Sequence, residues 1–174
     1  MTAGVASQRL LTGALRKTVL TVHIASSVAL VGTSAGLLIA GVRAATRSEP
    51  AQAHTIYELM QLLAFTLGIP FSFVALASGA TLALSSRWGL LRHWWVTAKL
   101  VLLLATIVTG ALVTGRSIDA MLDDTGPGGT GGDGAQWTLV IAVAAQLAMV
   151  VTANVLAVFK PAGRTPWSRE SARG

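Results

Sequence analysis

Read along the chain, the apolar residues fall into four long runs without an Asp, Glu, Lys or Arg: Thr18 to Val42, Leu59 to Ser86, Leu100 to Gly115 and Gly134 to Phe159. A helix crossing a hydrocarbon core of about 30 Å needs roughly 20 predominantly apolar residues, and three of the runs reach that length unaided. The third is too short alone, so its helix must begin near His93 and carry Lys99 inside it. The predicted elements are helices over 17–42, 57–85, 93–115 and 137–159, preceded by a segment 1–16 and followed by a basic tail 160–174. The first run follows Arg9, Arg16 and Lys17 as a secretory signal would, and Arg43-Ala44-Ala45 is weakly cleavage-like. It far exceeds the roughly 7–15 apolar residues of a signal core, so the expectation is a retained helix.

The fold class expected from this pattern is all-α, an integral membrane four-helix bundle. In lipid, helices associate through small residues that let backbones approach. Each predicted helix offers such a ridge: Gly32, Gly36 and Ala40; Ala75, Gly79 and Ala83; Thr106, Gly110 and Thr114; Ala153 and Ala157. Packing within the chain is the expected use of these ridges, with homo-oligomerisation the alternative. Pro70 should kink the second helix, because it removes a hydrogen bond and crowds the preceding turn. Residues 86–92 make a tight connection, whereas 116–136, with its GPGGTGGDG stretch, reads as a flexible linker. A phosphate-cradling role for those glycines fails, since neither the following Lys nor a strand-to-helix context is present.

Composition agrees with the runs: of 174 residues, 53% are hydrophobic and only 11% charged, too few charges for a water-facing surface. The net charge of +6 does not imply nucleic acid, because the basic residues sit at the ends of the apolar runs rather than on one soluble face. The absence of Cys excludes disulfides, thiolate metal sites, iron–sulfur clusters and covalent c-type haem. Arg9, Arg16, Lys17, Arg87, Arg92, Lys160, Arg164, Arg169 and Arg173 fall on one side of the predicted bundle, against Arg43, Arg47 and Arg116 on the other. By the positive-inside rule both termini are expected in the cytoplasm, in a multi-pass protein of the cell (inner) membrane. Trp88, Trp94 and Trp95 suit the inner headgroup level, Tyr57 and Trp137 the outer, and the basic tail with Trp167 suits anionic lipid.

Ionisable groups inside spans are costly and are the first place to look for function. At about 1.5 Å per residue, His23 lies roughly 8 Å, Lys99 roughly 10 Å and Asn154 roughly 9 Å from the same face. Ser78 and Thr81 of the second helix join them, giving an expected polar layer. Against this stand plainer roles: a snorkelling Lys99, a His23 bonded to a backbone carbonyl or to Ser27, and an Asn154 that only joins helices. His54 and Glu58, spaced i, i+4, would share a face at the opposite end, as a weak metal or proton-relay pair or merely an exposed helix start. His93 belongs to the interface. No nucleophile elbow, metal-protease motif or deep carboxylate is legible, so any chemistry would be carried by a cofactor.

The segments LRKTVLTVHIASSVALVG, with His23, and SSRWGLLRHWWVTAKLVLLLATIV, with Trp88, Gly89, Arg92, His93, Trp94, Trp95 and Lys99, resemble an actinobacterial family of small membrane proteins of unknown function, close to domain of unknown function 2269. That family is distantly similar to the four-helix HemJ (protoporphyrinogen oxidase) and copper-resistance CopD groups, in which a helix-one histidine and a lysine opening helix three recur. The matching positions are His23 and Lys99. The HemJ likeness implies a b-type haem, with His23 as iron ligand and Lys99 orienting the cofactor. The chain lacks the tryptophan–glycine and proline–arginine pattern expected after the HemJ histidine. Two functional readings stay open: an inner-membrane protein of unassigned activity acting as partner in a membrane complex, or a redox protein holding b haem or a quinone in its cytoplasmic half at His23, Lys99 and Asn154.

Overall fold

The computed structural model describes residues 13–47, 49–85, 94–129 and 134–159, and the regular elements among them are all helical. They form α1 (Gly13–Ala45), α2 (Pro50–Leu84), α3 (Trp94–Thr125) and α4 (Ala135–Phe159), each long and apolar enough to cross a bilayer. The chain is thus an all-α, multi-pass membrane protein by helix length and composition. The connection 86–93 with Trp88 and His93, residues 1–12, 48 and 130–133, and the tail 160–174 with Trp167 lie outside the described residues.

The ends of two helices differ from the expected ones. α2 starts at Pro50, which has no N–H to leave unpaired at the first helical position, rather than near 57. α3 continues to Thr125, so the first half of the expected linker is helix and the chain turns only at Gly126. Counting charge-free residues misses both extensions because they are amphipathic. Ala53, Tyr57 and Met60 lie on one face of α2, Ile118 and Met121 on one face of α3, and these faces bury one another.

α1 packs along α2 and against α4, and α4 packs on α3. α2 and α3 meet well between 50–63 and 115–125 but scarcely between 69–84 and 94–109. The bundle is therefore closed at the end carrying Glu49, Glu58, Asp119, Asp123 and Asp124, and splayed at the end carrying Arg16, Lys17 and Lys99. We refer to these as the acidic and basic ends. The larger core belongs to the acidic end, where Leu37, Tyr57, Met60, Ile118, Leu139 and Val143 join all four helices. Toward the basic end a smaller cluster, Leu30, Ala75 and Val150, joins three helices.

Two π-turns interrupt the long helices. In α2 the turn spans Ala64–Gly68, just ahead of Pro70, and the Ile69 N–H reaches back five residues to the Ala64 carbonyl. A wider turn at this point accommodates the ring that would otherwise crowd the preceding backbone. In α3 the turn spans Gly110–Thr114, with Gly115 N–H donating to the Gly110 carbonyl.

The small-residue ridges divide. Ala75, Thr106 and Thr114 are buried between helices as expected. On α1, however, Gly32 and Gly36 are exposed, with no atom within 4 Å of where a Cβ would stand. The buried face of α1 is Ser26, Leu30, Ser34, Leu37, Gly41 and Ala44. An all-round apolar helix has no polar side to mark its outward face, and here two stripes are rich in small residues.

Candidate functional site: a cleft at the basic end

Where α2 and α3 diverge, the four helices enclose a cleft of about 570 Å³, within the 300–1,000 Å³ range common for small-molecule sites. Its wall is mostly aliphatic, with residues such as Leu20, Ile24, Leu76, Leu100, Leu103 and Val158. Among the described residues the ionisable groups on it are Arg16, His23 and Lys99, and no carboxylate contributes. Asn154, Ser27, Thr106 and Trp95 complete the polar lining.

His23 is fixed by α2. Its Nδ1 lies 3.1 Å from the Ala75 carbonyl oxygen and 3.1 Å from Ser78 Oγ. Ser78 Oγ donates to the Val74 carbonyl at 2.6 Å, so both partners of Nδ1 present lone pairs and Nδ1 must carry the proton. No described residue bonds Nε2, which leaves it the acceptor nitrogen of the neutral ring. Sequence explains the close approach. A Cβ on Gly79 would stand 2.9 Å from His23 Cε1, so a glycine one residue past Ser78 gives the imidazole its room. Ser26, one turn along α1, donates to the His23 carbonyl at 3.0 Å and packs against the bundle.

Lys99 lines the cleft and makes no hydrogen bond or ion pair with any described residue. The acids of the described chain are all at the opposite end. Asn154 also lines the cleft, yet its Nδ2 donates to its own helix, to the Val150 carbonyl at 2.8 Å, so it does not join helices through that group. The expected layer is therefore assembled in part: His23, Lys99 and Asn154 share one cleft, and Ser78 touches His23 from behind. Thr81 does not take part; it is exposed and donates to Ala77 in its own helix at 2.8 Å. The buried stripe Ser72, Ala75, Ser78 advances by three residues and drifts about 60° per step, so the next step, to Thr81, leaves the buried face.

The interhelical polar contact that sequence reasoning passes over is Gln146, buried mid-helix in α4. Its Oε1 accepts from Thr114 Oγ1 at 2.8 Å and its Nε2 donates to the Thr106 carbonyl at 3.1 Å, bracketing the π-turn of α3. Gly110 makes this possible, since a Cβ there would stand 2.9 Å from Gln146 Nε2. The signal was a lone amide in an otherwise apolar run. With Leu30 and Val150 beside it, this bracket forms the floor between the cleft and the closed half.

His54, at the acidic end, is separate from the cleft. Its Nδ1 donates to Thr125 Oγ1 at 2.9 Å, and its Nε2 is 3.7 Å from Glu58 Oε1. Gln61 donates to Asp119 at 2.9 Å on the same pair of helices. These contacts tie the start of α2 to the end of α3, and no group of three or more potential metal ligands gathers among the described residues. No family model matches the chain, and no curated protein or solved structure matches it significantly.

Proposed function

We propose that this protein is a membrane-embedded binding protein that holds an amphipathic molecule in the basic-end cleft. The observation that carries this reading is a four-helix cleft, aliphatic over most of its wall, on which the His23 ring and the Lys99 ammonium stand without an acidic partner among the described residues. A cation within a span costs at least about 2.5–3.5 kcal/mol on insertion scales, and such groups line ligand or ion paths far more often than lipid. The Lys and Arg asymmetry supports placing this end, and both termini, on the cytoplasmic side of the cell membrane. Cysteines at Ser7, Ser86 and Ser168 should then resist an impermeant thiol reagent in intact cells while one at Thr130 reacts. The opposite labelling pattern inverts the orientation.

One observation favours a second reading, a b-type haem or a quinone as the molecule held. Metal-ligating histidines characteristically donate their second ring N–H to a carbonyl, as His23 Nδ1 does to Ala75, leaving Nε2 for iron. Lys99 and Arg16 could pair with propionates. The described residues supply only this one imidazole, since His54 is held at the far end. Absorption spectroscopy and native mass spectrometry on protein purified in mild detergent test both readings together. A Soret band lost in His23→Ala favours haem, and a colourless protein retaining a discrete amphiphile mass favours the general reading. A colourless, folded protein that retains nothing overturns both.

A further inference from the structure

We propose that the molecule held in the cleft is an anionic lipid, its phosphate head between Lys99 and Arg16 and its chain lying toward Leu30. This inference rests on the reading of the cleft as a ligand site and adds the chemistry that site selects. Charge is the first argument. Among the described residues the lining offers a guanidinium, an ammonium and an imidazole and no acid, so a ligand bringing its own anionic oxygen would complete the site. A neutral ligand would leave the Lys99 ammonium uncompensated in an apolar wall.

Shape is the second argument, and it is independent of charge. On α1 the lining runs from Arg16 to Leu30, fourteen residues of helix, or about 21 Å at 1.5 Å per residue. That is more than half of a hydrocarbon core of about 30 Å. On α3 it runs from Trp95 to Thr106, and the cationic groups are not spread along this length. Arg16 sits at the mouth, Lys99 and Asn154 lie about 10 Å further in at the level of His23, and the stretch from there to Leu30, Leu103 and Val150 carries no charged group among the described residues. A half that carries the cations joined to a half without charge has the polarity of a lipid monomer. The loosely joined stretch of α2 and α3 provides the side on which a chain could pass from the bilayer.

The test uses the full chain in a neutral detergent, doped at equal mole fraction with phosphatidylglycerol or phosphatidylcholine, with lipid retention read by native mass spectrometry and by the shift in Tm. Phosphatidylglycerol should be retained at least about tenfold more than phosphatidylcholine, the effect of one charge-assisted hydrogen bond. Lys99→Gln should remove most of that preference, Lys99→Arg should keep it, and Arg43→Gln, at the far end, should leave it unchanged. Inorganic phosphate alone should not raise Tm. Equal retention of the two lipids overturns anion recognition while leaving the cleft a ligand site. An Arg43→Gln loss as large as that of Lys99→Gln reduces the preference to surface charge and also overturns it. Protection by inorganic phosphate equal to that by the lipid overturns the role of the chain. If neither lipid is retained, and filling the cleft with Leu100→Trp changes neither Tm nor co-purifying mass, the underlying reading of the cleft fails.

Discussion

At the acidic end all four helices contribute to one core, Met60, Ile118 and Leu139 are almost wholly removed from the surface, and the α2–α3 pair is tied by His54 to Thr125 and Gln61 to Asp119. At the basic end the core shrinks to three residues from three helices, and the space that a tighter bundle would fill is the cleft. The same four helices make both ends, so the difference lies in side chains. Large apolar residues interdigitate at one end, while alanines and a glycine of α2 face His23 and Lys99 at the other. A close-packed half can hold the helices at fixed spacing while a loosely packed half leaves room for a ligand, and local stability need not be uniform along a helix.

The sharpest way to break this contrast is truncation. Met60→Ala should cost about 2–5 kcal/mol, the range for large-to-small changes at buried sites, measured by reversible unfolding in mixed micelles. Leu100→Ala, on the cleft wall, should cost less than half as much. Equal losses would mean that the basic end is packed as tightly as the other. Next in size, Gly79→Ala puts a methyl against His23 and should cost about 1–3 kcal/mol as overpacking. It should also shift the imidazole resonances in a histidine-labelled NMR spectrum, whereas Gly32→Ala, on the open face of α1, should leave them in place. Thr114→Val removes the donor to Gln146 Oε1 and should cost about 0.6–2 kcal/mol, the span seen for hydrogen bonds between membrane helices. Thr114→Val/Gln146→Leu should cost less than the sum of the single changes, because both remove the same hydrogen bond, and a double-mutant cycle with no coupling would remove the floor of the cleft as a distinct feature. Smallest of all, Thr81→Ala should stay within about 0.5 kcal/mol of the parent, as for surface positions without a partner.

The four helices and the meeting of His23 with Lys99 were legible because both follow from length and rise per residue. Run length says how much apolar chain is available, and counting residues from a charged flank says how deep a group lies. Neither method reports azimuth. Depth alone places Thr81 in the layer, and spacing alone places Gly32 and Gly36 in an interface within the chain, and both differences from the structure concern which way a residue faces around the axis. In lipid the usual guide to azimuth, a polar outer face, is missing. The acidic-end extensions of α2 and α3 were hidden for the opposite reason. There the polar face exists, and its charged residues, Glu58 on α2 and Arg116 and Asp119 on α3, end the uninterrupted apolar runs by which the spans were found.

The π-turn ahead of Pro70 gives α2 a property beyond accommodating the ring. Each residue of an α-helix advances the azimuth by about 100°, so a helix that widens by one residue changes which positions look inward on either side of the widening. In α2 the stretch 50–63 looks toward α1 and α3, while 69–84 looks chiefly toward α1, and the Ala64–Gly68 turn is where the phase changes. The turn therefore works as a vernier, setting the rotational register of the half that carries Ser78 and Gly79 independently of the half that carries Tyr57 and Met60. Shortening the chain by one residue there would leave the acidic-end half seated and swing the basic-end half round its own axis, carrying the groups that seat His23 out of reach.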